Sequence, residues 1–166
     1  MKPQPIRTMI IGIPNVGKSS LINRLAKRKA AGVQNKPGYT RGEQWINVNK
    51  DFLLLDTPGI LWPKLENQHQ AQILASLSSI KEEILDPQAL AIFIIKILSN
   101  LYPNSIKERY KLDTFDLDDI VSTFDKIALR RGALKKGGIV DYDKVSDIIV
   151  RDFKNGYFGK ITFDRL

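Results

Sequence analysis

The hydrophobic and polar positions separate an early part of the chain, with short apolar runs, from a later part with helical spacing. Arg7–Ile13 predicts a buried strand, and Gln44–Val48 and Phe52–Asp56 predict two more strands joined by a tight polar turn. After Gly17, apolar residues recur with the period of a helix, at Leu21, Ile22, Leu25 and Ala26. The early part is therefore expected to be α/β.

The later part is predicted to be helical. Leu65–Leu85 and Asp143–Lys154 each carry apolar residues on one side with helical spacing. Leu117–Arg131 is periodic too, with Asp116 placed to cap its start and Gly132 where a helix end is expected. Residues 1–64 and 65–166 are accordingly predicted to be two domains.

One segment of the later part is ambiguous. The four isoleucines of Ala89–Leu98 favour a strand, yet the stretch also fits a buried helix that extends towards Tyr102. As a strand it would insert beside Arg7–Ile13 and extend the sheet. A short helix at Ser105–Tyr110 is expected in either case.

Charge and composition narrow the class of protein. Most of the net charge of +8 lies in residues 1–60, which hold 10 Lys/Arg against 3 Asp/Glu. Such a basic surface fits a nucleic-acid partner, or a bound nucleotide with the remaining charge solvated. Without cysteine and with one histidine, the chain can form neither disulfides nor thiolate or multi-histidine metal sites, which fits the cytoplasm. No apolar run has the length of a membrane span, so no membrane partner is expected.

A phosphate-binding loop is predicted between the first strand and the first helix. Gly12, four further residues and then Gly17-Lys18-Ser19 match G-x-x-x-x-G-K-[ST], with a strand before and a helix after. The glycines let backbone N–H groups turn towards phosphate oxygens, and the helix N-terminus adds positive partial charge. Lys18 would bridge the outer phosphates, and the Ser19 hydroxyl would bind Mg²⁺. The predicted nucleotide-binding residues of this loop are Pro14, Asn15, Val16, Gly17, Lys18, Ser19 and Ser20.

Two further motifs would complete the same site. Asp56 begins D-T-P-G at the end of an apolar strand, where its carboxylate can hold Mg²⁺ and the Gly59 N–H can reach the terminal phosphate. By itself D-T-P-G is also good turn chemistry. Thr40 lies on a glycine-rich loop between the two motifs, and its hydroxyl could close onto Mg²⁺ when a third phosphate is present. Lys18 and Thr40 are the candidate catalytic residues, and Ser19, Thr40 and Asp56 the candidate Mg²⁺ ligands.

The three motifs, in this order and spacing, resemble the translation-factor-related GTPases. Together with KERYKL and KKGGIVDYDK in the later part, they resemble ribosome biogenesis GTPase A, a circularly permuted bacterial GTPase, over nearly the whole chain. The resemblance implies an α/β P-loop GTPase domain, present as its phosphate-binding half, followed by an all-α C-terminal domain. It also implies GTP and GDP as ligands and a precursor of the large ribosomal subunit, with its rRNA, as partner.

The base-reading N-K-x-D segment of such GTPases is missing at its usual place after D-T-P-G. In the permuted family the guanine-reading half comes first, so the sequence resembles the C-terminal portion of a longer protein. The first strand would then have one open edge, and the chain would self-associate or need the other half. Nucleotide binding by this chain alone is expected to be weak and to discriminate poorly between GTP and ATP.

The sequence offers no residue to orient the attacking water. Ile60 occupies the position that many GTPases fill with glutamine, and His69 is expected to be an exposed helix residue. The family resemblance places a catalytic histidine in the other half. In related GTPases with such apolar substitutions, an asparagine at the position of Asn15 helps to bind K⁺; otherwise Asn15 serves the turn of the loop.

Basic residues in the later part gather around a glycine-rich loop, at Arg130, Arg131, Lys135 and Lys136. Lys154 and Lys160 flank Tyr157 and Phe158, and such pairs suit the phosphates and unstacked bases of RNA. A solvated helix end with core aromatics is the alternative. Three functions remain open: a ribosome-assembly GTPase, an RNA-binding module without turnover, and a P-loop ATPase of another family.

Overall fold

The computed structural model describes residues 4–32, 40, 42–61, 67–80, 85–116 and 118–163. The chain divides into two compact units, residues 1–81 and residues 82–166. The sequence pattern placed the boundary after residue 64, whereas the structure assigns the helix that follows to the first unit. The predicted loop at 33–39 and 41, residues 65, 66 and 81–84 of the predicted helix, and Leu117 lie outside the described residues.

The first unit contains a three-stranded sheet. Its strands are β1 (Ile6–Ile10), β2 (Gln44–Asn49) and β3 (Phe52–Asp56), in the order β1-β3-β2. β3 is central because it pairs in parallel with β1, from Ile6 opposite Phe52 to Ile10 opposite Asp56, and antiparallel with β2. Among the described residues β1 has no partner on its other side, as the open-edge prediction expects.

Among the described residues, one helix covers one face of this sheet. α1 (Lys18–Ala26) packs on β2 and β3, and its Ile22 joins Ala31, Ile46 and Leu54 in a small buried cluster. The predicted apolar stripe is only partly used, because Leu21 and Leu25 are exposed on the same helix. The sequence predicts a buried β1, but Ile6 and Met9 are exposed as well, because α1 packs mainly on β2 and β3 and leaves the faces of β1 largely uncovered among the described residues.

The second helix of the first unit is shorter than the periodicity suggested. α2 (Gln68–Ser76) begins at Asn67, whose side chain accepts hydrogen bonds from the N–H groups of His69 and Gln70. The chain then turns through Ser78, which has a positive φ of 57°. Ser76, Ser78, Ser79 and Ile80 are buried.

The ambiguous segment of the second unit is a helix, so the alternative of an inserted strand is wrong. α3 (Pro87–Leu101) begins with Asp86 as N-cap, whose carboxylate accepts from the N–H groups of Gln88 and Ala89, and Pro87 opens the first turn. These start signals favour a helix over the β propensity of its isoleucines. Seven of its residues are buried, which suits an apolar helix at the centre of a bundle.

The described part of the second unit contains three further helices. They are α4 (Pro103–Tyr110), α5 (Ile120–Arg131) and α6 (Tyr142–Lys154), and α3 contacts both α4 and α6. α5 begins at Asp119 rather than Asp116, and ends at Gly132 with a φ of 64°, as predicted. Between α5 and α6 the chain forms an isolated β-bridge, Leu134 with Val140.

Within the described residues, no single helix has both the length and the apolarity of a membrane span. α3 and α4 satisfy the length and composition of a span only when taken together, and they are bent by 117° at their junction.

Candidate functional site

The predicted phosphate-binding loop lies between β1 and α1, as expected. Gly17 has a φ of 93° and Asn15 a φ of 60°, so the loop turns through left-handed conformations before α1 begins. A glycine at position 17 adopts this backbone without strain. No side chain of the described residues caps α1 at Gly17, which leaves its first N–H groups facing the loop.

Lys18 folds back over this loop. Its Nζ donates hydrogen bonds to the carbonyl oxygens of Gly12 (3.0 Å) and Ile13 (2.9 Å). Partial burial lowers the pKa of Lys18 below its usual value, and the nearby Asp56 carboxylate opposes that shift. The ammonium group is therefore held at the loop by carbonyl dipoles and one carboxylate.

Ser19 and Asp56 meet although 37 positions separate them. The Ser19 hydroxyl donates to the Asp56 carboxylate, with Oγ lying 3.2 Å from Oδ2 and 3.4 Å from Oδ1. Asp56 is fully buried at the end of β3. Parallel pairing of β3 with β1 causes this meeting, because it brings the carboxyl ends of both strands to the same sheet edge.

The D-T-P-G segment is fixed against the phosphate-binding loop by two hydrogen bonds and one close contact. Thr57 Oγ1 donates to the Ile10 carbonyl (2.7 Å), and the Ile60 N–H donates to the Gly12 carbonyl (3.1 Å). A Cβ added at Gly59 would lie only 2.5 Å from the nitrogen of Pro14, so only glycine fits there. Pro14, Gly59, Ser19 and Asp56 are thus brought together.

Four other residues that the sequence analysis discussed for this site make no hydrogen bond to Ser19 or Asp56 among those of the described residues. Val16 and Ser20 are exposed on the loop and the first turn of α1, and Ile60 is exposed beside the loop. Thr40 is half-buried, but among the hydrogen bonds of the described residues none joins it to Ser19 or Asp56. His69 lies exposed in the first turn of α2, as predicted.

Asn15 makes a contact that the sequence did not suggest. Its side-chain amide donates to the backbone carbonyl of Ser78, in the turn after α2. The partner is a backbone oxygen 63 positions away, so no residue pattern could have revealed it.

A metal ion at this site would depend on few protein atoms. Among the described residues, no three His, Cys, Asp or Glu side chains gather as a metal cluster. The Ser19 hydroxyl and the Asp56 carboxylate are nevertheless hard oxygen donors of the kind that Mg²⁺ accepts beside nucleotide phosphates. The donor set therefore fits magnesium bound together with a nucleotide.

The predicted basic patch of the second unit is divided. Arg130 and Lys136 are exposed, and Lys135 lies 3.7 Å from Asp141. Arg131 instead pairs with the buried Asp152 at 3.0 Å. The two aromatic residues predicted to contact RNA also differ from each other. Phe158 packs in the core, whereas Tyr157 is exposed.

Comparison with known proteins agrees with this geometry. A family model described as "50S ribosome-binding GTPase" matches residues 7–126. "Ribosome biogenesis GTPase A" of Bacillus cereus is 47% identical over 164 residues, which are 99% of this chain and 55% of that protein. The protein of the same name from Thermotoga maritima is 31% identical over 159 residues, covering 96% of this chain and 56% of that protein.

Solved structures are similar as well. "GNP-bound YlqF from T. maritima" has a TM-score of 0.64 at 27% identity, covering 96% of this chain and 59% of that chain. A GDP-bound structure of YlqF has a TM-score of 0.66 at 25% identity, with 98% and 62% covered. The chain spans little more than half the length of these relatives. The resemblance predicted from the motifs is confirmed, and the chain belongs to the 50S ribosome-binding GTPase family.

Proposed function

We propose that this chain is the phosphate-binding and helical portion of a GTP-hydrolysing factor that acts in the cytoplasm on precursors of the large ribosomal subunit. The observation that carries the proposal is the 3.2 Å contact between Ser19 and the buried Asp56. It joins the loop motif to the D-T-P-G motif at one sheet edge, which is the arrangement that a magnesium–nucleotide site requires. Residues 1–64 and 65–166 are proposed as its functional domains, with α2 packed in the first compact unit.

Each residue of the site has a proposed task. Lys18 would exchange its two carbonyl partners for phosphate oxygens, and the Gly17–Ser20 N–H groups would hold the inner phosphates. The Gly59 N–H would meet the terminal phosphate. Thr40 would complete the site from its loop when that phosphate is present.

Magnesium, when bound with the nucleotide, would neutralise charge that develops on the phosphates during transfer. Ser19 would supply its hydroxyl oxygen and Asp56 would act through its carboxylate. The direct test is to measure GTP and GDP affinity of the 166-residue chain with and without Mg²⁺, using Ser19→Ala. The proposal expects the variant to lose the Mg²⁺ dependence, and a dependence that survives intact would contradict it.

Asn15 is proposed as a K⁺ ligand in the complete protein. Its amide nitrogen contacts Ser78, so the side-chain oxygen is the atom left to face a cation. K⁺ would add positive charge near the transferring phosphate, where Ile60 offers none. Hydrolysis by the complete protein should be faster in K⁺ than in Na⁺, and Asn15→Ala should abolish that difference. Equal rates in both salts would remove the K⁺ role.

The guanine-reading function is proposed to belong to another segment. Relatives of this chain are nearly twice as long, and the outer edge of β1 has no partner among the described residues. We therefore expect weak, poorly selective GTP binding by this chain alone, and self-association through the open edge. Calorimetry with GTP and ATP, and gel filtration at several concentrations, test these points. Tight, GTP-selective binding by a stable monomer would refute them.

The ribosomal partner rests on the names of the relatives and on the basic surface. Arg130 and Lys136 are exposed on the second unit and available to rRNA phosphates. Arg131 is unsuited to a charge-reversal test because Asp152 would be left buried without one of its cations. Arg130→Glu with Lys136→Glu should weaken co-sedimentation with subunit precursors and flatten its salt dependence. Unchanged binding would exclude this patch.

An RNA-binding module without turnover is the second candidate. The exposed, apolar Ile60 favours it, because that side chain cannot orient a water molecule for attack. Measuring GTP and ATP hydrolysis with and without large subunits separates the candidates. Turnover that needs Lys18 and is stimulated by subunits supports the assembly GTPase, whereas binding to subunits without turnover supports the module. ATP hydrolysis without subunits would indicate a P-loop ATPase of another family.

A further inference from the structure

A buried carboxylate in the second unit collects two arginines from different helices. Asp152 of α6 has a side chain only 5% exposed. Arg109 of α4 binds it through two hydrogen bonds, Nε to Oδ2 (2.9 Å) and Nη2 to Oδ1 (2.7 Å). Arg131 of α5 binds it through Nη2, which lies 3.0 Å from Oδ2. The three residues and Tyr157 are called the Asp152 cluster below.

The Asp152 cluster carries more positive charge than its carboxylate neutralises. Two guanidinium groups share one carboxylate, so one positive charge remains, and among the described residues neither arginine has a second acidic partner. Both side chains also reach solvent, with 22% of Arg109 and 32% of Arg131 exposed. Each guanidinium has five N–H donors in a fixed fork, and Asp152 uses only some of them. Because both side chains reach solvent, the remaining donors can serve an anion.

The same cluster presents an aromatic ring. α6 ends with the N–H of Gly156 bonded to the Phe153 carbonyl and that of Tyr157 to the Asp152 carbonyl, and Gly156 has a φ of 71°. This is a Schellman ending, which turns the chain back sharply. Tyr157 is thereby held with the Arg109 guanidinium 4.1 Å from its ring centroid, while 56% of the residue stays exposed.

A purely structural role leaves two features of the cluster unexplained. One arginine suffices to neutralise a buried carboxylate, and an aromatic residue serving only the core would be buried. Phe158 is such a residue, because it packs edge-on against Tyr110 with the ring centroids 5.8 Å apart. Tyr157 differs from it in being exposed next to uncompensated arginine charge.

We propose that the Asp152 cluster binds one unstacked nucleotide of single-stranded RNA. The phosphate would lie on the free N–H groups of Arg109 and Arg131, and the base would stack on the open face of Tyr157. The choice of RNA as ligand rests on the proposed ribosomal function. The geometry itself calls for a ligand with an anionic group next to a flat ring, which a nucleotide supplies. Arg109 is thereby added to the RNA surface, for which the sequence had suggested the basic residues around the glycine-rich loop and the segment with Lys154, Tyr157, Phe158 and Lys160.

The test uses the full 166-residue chain and a short fluorescent single-stranded RNA of mixed sequence, with affinity measured by anisotropy. Loss of one base–aromatic stack corresponds to a decrease of about 5- to 150-fold, which is expected for Tyr157→Ala. Tyr157→Phe keeps the ring and should stay within about twofold of the parent. Tyr142→Ala is the matched control, because Tyr142 is an exposed tyrosine at the opposite end of α6. An equal loss in Tyr157→Ala and Tyr142→Ala would overturn the proposal.

A second measurement compares two RNA strands on the parent chain, and that comparison does not depend on the stability of any variant. The parent chain should bind an abasic strand of the same length more weakly than the normal strand, and Tyr157→Ala should remove that difference. Equal affinity of the parent for abasic and normal strands would exclude base stacking. GTP binding is measured separately through Lys18→Ala, so a failed nucleotide site and a failed RNA cluster give different results.

Discussion

The two units of the molecule bury their hydrophobic residues to very different extents. In the first unit, Ile6, Met9 and Leu21 are 62%, 53% and 50% exposed, and the buried cluster centres on Ile22. In the second unit, Leu98 and Ile149 are fully buried within a four-helix arrangement. The candidate phosphate-binding site belongs to the first unit, whose apolar side chains are less buried, and the Asp152 cluster belongs to the second.

This difference shows that a binding site and a stable core have separate requirements. The phosphate site needs β1, β3 and the loop between β1 and α1, and those contacts form through backbone pairing over short distances. A stable core needs apolar surface removed from water, at about 25 cal/mol per Å². We infer that the contacts of the candidate site form without a large core, because few apolar side chains of the first unit are buried.

The largest expected effect compares two leucines. Leu98→Ala should lower the free energy of unfolding by about 2–5 kcal/mol, because it leaves a cavity in the helical core. Leu21→Ala should change it by about 1 kcal/mol or less, since half of that residue is already in water. Urea unfolding followed by circular dichroism measures both. If Leu21→Ala lowered the free energy of unfolding as much as Leu98→Ala, the exposed face of α1 would be covered in solution. The contrast in burial between the two units would then be wrong.

The second effect concerns the glycine at the phosphate site. Gly59→Ala would place a Cβ 2.5 Å from the Pro14 nitrogen, so the D-T-P-G segment must move away and its Ile60–Gly12 hydrogen bond must break. One such bond is worth about 1 kcal/mol, and we expect GTP affinity to fall at least about fivefold. Gly42→Ala is the matched control, because a Cβ there meets nothing within 4 Å. Calorimetric titration with GTP should separate the two variants, and equal affinities would show that the close contact is dispensable.

Gly156 of the helical unit is required for its backbone conformation, since a Cβ at this position would meet no neighbouring atom within 4 Å. Gly156→Ala should destabilise the second unit by about 1 kcal/mol, because a φ of 71° is unfavourable for alanine. Gly156→Asn should recover part of that loss, since asparagine tolerates this conformation. Thermal unfolding of both variants checks the ranking. Identical melting temperatures for alanine and glycine would contradict the Schellman ending.

The smallest effect is a pH dependence at Lys18. Burial lowers the pKa of Lys18, so its ammonium group loses its proton at a lower pH than an ordinary lysine. GTP affinity should therefore decline as the pH rises through that lowered pKa, beginning below 10.5. In Lys18→Arg the charge persists, and the decline should be absent over the same range. Fluorescence titration with a labelled GTP at several alkaline pH values measures this, and parallel curves for both proteins would exclude Lys18 as the titrating group.

Much of the fold followed from local signals. The hairpin of β2 and β3, the helix after the G-K-S motif and the end of α5 at Gly132 all lie within a few residues of their predicted bounds. These features depend on side chains close in sequence, such as turn residues and caps. Helix starts were less accurate, because Asp116 and Asp119 are both good caps and only the packed helix selects between them.

The ambiguous Ala89–Leu98 segment shows the limit of periodicity. Most of this run is buried and Lys96 is its one exposed polar residue, so its composition fits a strand as well as a helix. The Asp86-Pro87 start was visible in the sequence and was the better guide. The role of Arg131 had no comparable signal, because its partner Asp152 lies in another helix 21 positions away.

The sequence by itself specified the candidate phosphate loop, because G-x-x-x-x-G-K-S and D-T-P-G define donors and backbone conformations within a few residues. Only the tertiary structure decided which of these groups meet. Ser19 reaches Asp56, Gly59 lies against Pro14 and Asn15 reaches Ser78 through strand pairing and chain turns between distant positions. Local patterns encode what a residue can do, whereas distance between residues far apart in the chain is a property of the packed fold.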